Sequence, residues 1–202
     1  MKLYYSPGAC SLSPHIALYE AGLEFEAVPA PTKTHKLPDG TDYYTINPLG
    51  YVPLLELDDG RRLREGPAIV QYIADQAPAS KLAPTNGTFE RYKLQEWLTF
   101  IGTEIHRNFG PLFSPANPAE VKAAAVDRIK SRLAWVDGEL AGKQYLMGDQ
   151  FTVADGYLFV VTNWAKPLNL DISAFKNLLA FRERVGARPA VIKAMKAEGL
   201  IQ

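Results

Sequence analysis

Strand and helix signals alternate through the first 77 residues and then give way to helix alone, and this change limits what the chain can fold into more than any other feature. Lys2 to Tyr5 reads as a strand. Ser11 to Ala21 reads as a helix with Pro14 in its first turn, where a missing N–H does no harm, and Gly22 stops it. Phe25 to Val28 gives a second strand, and a polar loop runs from Pro29 to Gly40. Val52 to Leu57 and Arg61 to Arg64 flank Asp58-Asp59-Gly60, a hairpin turn signal, and a helix then starts at Gly66 and runs through Ala68, Ile69, Tyr72 and Ile73. The order βαβ-ββα defines an α/β unit over residues 1–77.

Residues 78–87, rich in Pro, Ser, Asn and Gly, form the expected linker to an all-α domain over residues 88–202. Phe89, Tyr92, Trp97, Ile101 and Ile105 recur at helical spacing, as do Val126, Ile129, Leu133, Val136 and Leu140, so two amphipathic helices are expected to face a shared core. Thr152 and Asp155 have the spacing of a capping box, with an apolar and therefore central helix predicted from Gly156 to Leu168. Two shorter helices near 174–186 and 189–198 complete the chain.

At 202 residues the chain has room for one large core or two small ones. Its 22 Lys+Arg balance 22 Asp+Glu, so no global field draws phosphate backbones or anionic lipid, and neither nucleic acid nor membrane is an expected partner. No apolar run approaches the roughly 20 residues that span a bilayer, and the N-terminus lacks the apolar stretch of a secretory signal, so a cytoplasmic protein is expected. One cysteine and three scattered histidines lack ligand spacing, and no metal site is expected.

That cysteine, Cys10, stands where a short strand ends in a turn and a helix begins. Free amides at a helix start favour a thiolate, so its pKa is expected to fall below the free value of about 8.5. The plainer alternative is a small apolar residue tucked under a helix. Two more segments complete a constellation. Pro53, entering a strand, predicts a cis peptide after Val52 and an outward backbone edge that an extended peptide could pair with. Glu65 and Gly66, opening a helix, offer a carboxylate for an ammonium group and amides for a carboxylate. A small zwitterionic peptide satisfies all three.

In these segments the chain resembles the cytosolic glutathione transferases, and among them the bacterial beta class. The resemblance is carried by Ala9 to Ile16, Asn47 to Pro53, Asp58-Asp59-Gly60, Glu65 to Ile69 and Phe151 to Asp155, in that order over essentially the whole length. It implies a glutathione transferase fold, with a thioredoxin-like N-terminal domain and an all-α C-terminal domain. It also implies a homodimer, glutathione as co-substrate, no bound cofactor, and detoxification of small hydrophobic electrophiles. Carried over by residue, Cys10 and His106 are catalytic, and Cys10, Val52, Pro53, Glu65, Gly66 and His106 line the glutathione site. His35 and Lys36 stand where relatives carry the partner of the glycyl carboxylate, and Thr99 where relatives often supply Asn across the dimer.

Without the resemblance, His106 would read as a structural histidine beside Ile101 and Ile105, and His15 as a helix residue with a structural hydrogen bond. Tyr157, Trp164 and Leu168 lie on one predicted stripe. That stripe is either core or, with Phe109 and Phe113, a pocket for the hydrophobic substrate. Ser13 occupies the place of a second cysteine, which rules out a dithiol cycle and leaves glutathione mixed-disulfide exchange or peroxide reduction as side activities of Cys10. Two other readings compete: a glutathione-dependent dehalogenase of aromatic degradation, and a non-catalytic module that binds hydrophobic ligands.

Overall fold

Strand β1 (Lys2–Tyr5) buries three successive side chains, Leu3, Tyr4 and Tyr5, which requires cover on both faces of its sheet. It lies at the centre of the order β2-β1-β3-β4, parallel to β2 (Glu26–Pro29) and antiparallel to β3 (Leu54–Glu56), and β3 pairs antiparallel with β4 (Arg62–Arg64). Because side chains alternate along a strand, Tyr4 and its partner Leu54 share one face, where they meet Ala30, Leu37, Tyr43 and Val52. Leu3 and Leu55 take the other. Helices α1 (Leu12–Ala21) and α2 (Gly66–Gln76) pack on each other and against the strands, burying Leu12, Ile16, Leu18, Ile69 and Ile73.

The computed structural model describes residues 1–202, which divide into one unit of Met1–Ala83 with Ala187–Gln202 and another of Pro84–Gly186. The second unit is helical. Helix α3 (Phe89–Phe100) runs through a π-helical turn, Ile101–His106, into α4 (Arg107–Phe113); α5 (Ala119–Glu139), α6 (Val153–Asn163) and α7 (Lys176–Gly186) follow. Ten consecutive residues of α6, Val153 to Thr162, are buried, so this helix is the centre of its unit. Its start is held by the expected capping pair: Asp155 Oδ2 accepts the Thr152 N–H at 2.7 Å and the Thr152 hydroxyl at 2.9 Å.

Three expectations need correction. Phe89 and Tyr92 are 73% and 61% exposed, because the buried stripe of α3 is carried by Leu94, Trp97 and Leu98. Helix α6 stops at Asn163, five residues early, where the chain turns through Trp164 to Asn169 with Asn169 at φ 52°. The last segment, expected in the all-α domain, belongs to the α/β unit. Helix α8 (Pro189–Ala197) packs on α1, and Arg188 closes a two-pronged ion pair on Glu20 at 2.6 and 2.8 Å.

Candidate active site

Cys10 precedes α1 in a turn closed by Ser11, whose hydroxyl accepts the Ser6 N–H at 3.0 Å and donates to the Ser6 carbonyl at 3.2 Å. The turn aims Cys10 Sγ at the Val52 carbonyl, 3.3 Å away, and the thiol donates to it. The expected low pKa is overturned. Burial pushes the thiol up to about 11; the amides of Cys10 and Ser11 only partly offset this, and the charge of Glu65 adds to it. The residue as a whole is partly buried, but its sulfur is deep enough for desolvation to dominate, and the bond to Val52 holds the protonated form.

The Val52–Pro53 peptide is cis, as the sequence predicts. Tyr51 O, one residue earlier, accepts both the Tyr43 hydroxyl at 2.9 Å and Asn47 Nδ2 at 2.7 Å, so buried Tyr43 and Asn47 fix the loop that presents Val52. The Val52 N–H has no partner within the chain. Across from Pro53, a Cβ on Gly66 would stand 3.9 Å from Pro53 Cγ, which places the start of α2 beside this loop.

Glu65 begins α2 at φ 67°, ψ 112° with its side chain exposed. A residue with a Cβ pays about 1–3 kcal/mol in such a region, and such strain concentrates at ligand sites. Sequence reasoning selects Glu65 for its charge, but nothing local signals its backbone. The expected set of free helix amides shrinks to one: Pro67 has none, Ala68 and Ile69 donate to the Glu65 carbonyl at 3.0 and 2.9 Å, and the Gly66 N–H remains.

His35 and Lys36 lie in a neighbouring loop. His35, at φ 52°, lays its ring on Tyr44 with centroids 4.6 Å apart, and its Nδ1 is buried without a hydrogen bond. Gly50, at φ 67°, stands against both rings; a Cβ there would come within 2.7 Å of Tyr44 and 3.0 Å of His35, so glycine fits here without displacing either ring. Lys36 is exposed and bridges to Asp42 through the backbone.

In the helical unit, His106 ends the π-helical turn, a distortion common at functional positions. Its Nδ1 is 2.6 Å from the Tyr157 hydroxyl, and its ring meets Trp164 edge-on at 4.9 Å. Burial lowers its pKa, which favours the neutral imidazole near pH 7. Phe109 and Phe113 both stack edge-on against Trp164, at 5.6 and 5.4 Å, so Phe109, Phe113, Tyr157 and Trp164 form one aromatic group around His106. Phe113, at 50% exposure, is its open side. Tyr157 presents a hydroxyl to His106, which the apolar stripe did not anticipate. Leu168 lies beyond the end of α6 and so leaves the stripe on which it was expected. Thr99 is exposed on α3 and its carbonyl accepts the Thr103 hydroxyl at 3.0 Å.

A cavity of about 400 Å³ opens elsewhere in this unit, lined by Trp97, Trp135, Leu146 and Met147. Its rim charges are neutralised in place by the pairs Lys93–Glu96 and Lys143–Glu139, and none of the expected site residues reaches it. No group of three or more His, Cys, Asp or Glu side chains is placed to hold a metal ion. No helix is long and apolar enough to cross a membrane.

A thiol turn at the start of α1, a cis-proline loop beside it in a β2-β1-β3-β4 sheet, and a helical unit of this kind define the thioredoxin-like, two-unit transferase architecture. Residues 8–76 match the N-terminal domain of glutathione S-transferases, and residues 96–189 match the C-terminal domain. GstA of Escherichia coli O157:H7 is 43% identical over 99% of this chain and 100% of its own length. Among solved structures, a ternary complex of BphK, a bacterial transferase, superposes with a TM-score of 0.97 at 57% identity, covering 98% of this chain and 100% of that one. A beta-class transferase of Sphingomonas chungbukensis does so with 0.96 at 50%, covering 100% of both chains. The chain belongs to the glutathione S-transferase family, and bacterial beta-class enzymes are among its structural relatives.

Proposed function

We propose that the chain joins reduced glutathione to small hydrophobic electrophiles at the surface where Cys10, Val52, Pro53, Glu65 and Gly66 converge. The observation that carries this is the strained Glu65 beside a thiol-bearing turn and an unpartnered Val52 N–H. Glutathione lies along Val52, its cysteinyl carbonyl accepting the Val52 N–H. Its α-ammonium pairs with the Glu65 carboxylate, and its α-carboxylate accepts the Gly66 N–H. His35 or Lys36 takes the glycyl carboxylate, and Thr99 contributes across a homodimer.

Cys10 is protonated at working pH and acts as a donor. Turned from Val52 O to the glutathione sulfur, its S–H stabilises the thiolate formed when the glutathione proton leaves to solvent. The sulfur then attacks the electrophilic carbon and displaces its leaving group. In the helical unit His106, its Nδ1 engaged by the Tyr157 hydroxyl, serves as a hydrogen-bonding catalytic residue, and Phe109, Phe113, Tyr157 and Trp164 form the surface that receives the electrophile. The relatives reported above are named as transferases, which favours this reading over a dehalogenase or a binding module. The lone cysteine suits a reducing compartment, and a cytoplasmic location belongs to the same proposal.

Turnover with 1-chloro-2,4-dinitrobenzene tests the scheme. The wild type conjugates it, and His106→Asn lowers kcat by about tenfold with little change in melting temperature, because Asn keeps polarity and a donor. A variant that melts several degrees lower yet keeps its turnover would make His106 a structural residue.

A further inference from the structure

Helix α3 widens at Ile101–His106 into a π-helical turn, and the Arg107 N–H that follows reaches back to Gly102 O. Side chains brace this stretch. Thr99 O accepts the Thr103 hydroxyl at 3.0 Å, and Glu104 O accepts Asn108 Nδ2 at 2.7 Å. Arg132 on α5 donates from Nε to Glu104 Oε2 at 2.7 Å. The last residue of the turn, His106, is thereby held with its ring edge-on to Tyr157 at 5.8 Å and to Trp164 at 4.9 Å. Tyr157 is 4% exposed within a helix buried over ten consecutive residues, so packing fixes the place of its hydroxyl.

The bond between His106 Nδ1 and the Tyr157 hydroxyl, 2.6 Å long, has two possible directions, and they give the imidazole opposite chemistry. An N–H donor stands about 2.7–3.2 Å from its oxygen, whereas a hydroxyl donor comes as close as about 2.5 Å, so the length favours tyrosine as the donor. Acidity agrees, since a phenol is a stronger acid than a neutral imidazole N–H and an imidazole nitrogen a stronger base than a phenol oxygen. Burial disfavours the imidazolium, in which Nδ1 would have to donate instead. With Nδ1 accepting, the one ring proton is on Nε2. That nitrogen forms no bond within the chain and is not sealed from solvent.

We propose that Tyr157 is a positioning residue for His106: its hydroxyl, donating to Nδ1, holds the imidazole as the Nε2–H tautomer. His106 then offers a donor to a developing anion and has no lone pair at Nε2 with which to abstract a proton. This rests on the proposed part of His106 in conjugation and narrows it to hydrogen-bond donation, with no general base.

Imidazole nitrogen NMR spectra of the full chain read the tautomer without any ligand, and H106N identifies the His106 signals among the three histidines. In the wild type near pH 7, Nδ1 is expected to resonate as a hydrogen-bonded acceptor and Nε2 as the protonated nitrogen. Y157F keeps the ring and removes the hydroxyl; it should mix the two tautomers and lower kcat with 1-chloro-2,4-dinitrobenzene about fivefold, leaving KM for glutathione unchanged. A purely structural hydroxyl would move the melting temperature and leave the tautomer as it is. A protonated Nδ1 in the wild type, or a tautomer that Y157F does not change, would overturn the proposal. The wild-type spectrum needs no variant, so it decides the direction of the bond even if Y157F does not fold. A tautomer lost in Y157F with turnover unchanged would uphold the positioning by Tyr157 and refute the part of His106 in conjugation.

Discussion

Replacing Asp155 by alanine is expected to remove about 4 kcal/mol of stability and lower the melting temperature by about 10 °C. Three donors converge on this buried carboxylate: the N–H of Leu146 at 2.8 Å, the N–H of Thr152 at 2.7 Å and the Thr152 hydroxyl at 2.9 Å. Alanine strands all three in an apolar interior, at about 1–3 kcal/mol for each one that water cannot reach. Asp155→Asn should fall between the two, since its amide nitrogen confronts one of the donors.

The pH dependence has a definite sign. Burial raises the Asp155 pKa to about 6, above its ordinary value of 3.8. The stability it contributes is therefore complete below about pH 4 and is lost as pH rises through 6. Asn does not titrate, so the stability gap between wild type and Asp155→Asn should widen as pH falls from 7 to 5. Thermal melts at both pH values check this; an alanine variant melting within 2–3 °C of wild type would show that the capping carboxylate is dispensable.

The second large effect is at Cys10. With the thiol pushed up to about 11, its alkylation rate should rise about tenfold per pH unit, or roughly 1000-fold between pH 7 and 10, with no plateau in that range. Iodoacetamide labelling followed by intact-mass measurement gives the profile, with Cys10→Ser as the blank. A rate that levels off by pH 8 would restore the thiolate expected from the helix start. In the proposed scheme a protonated Cys10 would donate a hydrogen bond to glutathione and would be a poor nucleophile for mixed-disulfide exchange near neutral pH.

The contrast at Cys10 shows where the sequence stops being legible. A position before a helix is local and readable, whereas the Val52 carbonyl that accepts the thiol proton and the burial around the sulfur come from a segment 42 residues away. The strands, the hairpin at Asp59-Gly60, the cis bond before Pro53 and the Thr152–Asp155 cap were readable because turn, proline and capping chemistry act within a few residues. Helical period alone did not say which of Phe89, Tyr92 and Leu94 turns inward, since the partner face decides that.

Two expectations fail because neighbours in sequence are not neighbours in space. Spacing puts Leu168 on a stripe with Trp164, but the helix ends at Asn163. Residues after Gly186 read in sequence as part of the helical domain, yet Arg188 and Glu198 bind that segment to Glu20 and His15 of α1. At Glu65 the charge was legible and the strained backbone was not; together they make it the strongest single pointer to a ligand.

Glu65, strained at the start of α2, is proposed to take the ammonium group of glutathione. Calorimetric titration of reduced glutathione into wild type and Glu65→Ala tests it directly. The wild type is expected to bind measurably and the variant at least about tenfold more weakly, because the ammonium loses its carboxylate partner. Equal affinities for the two proteins would remove Glu65 from the site.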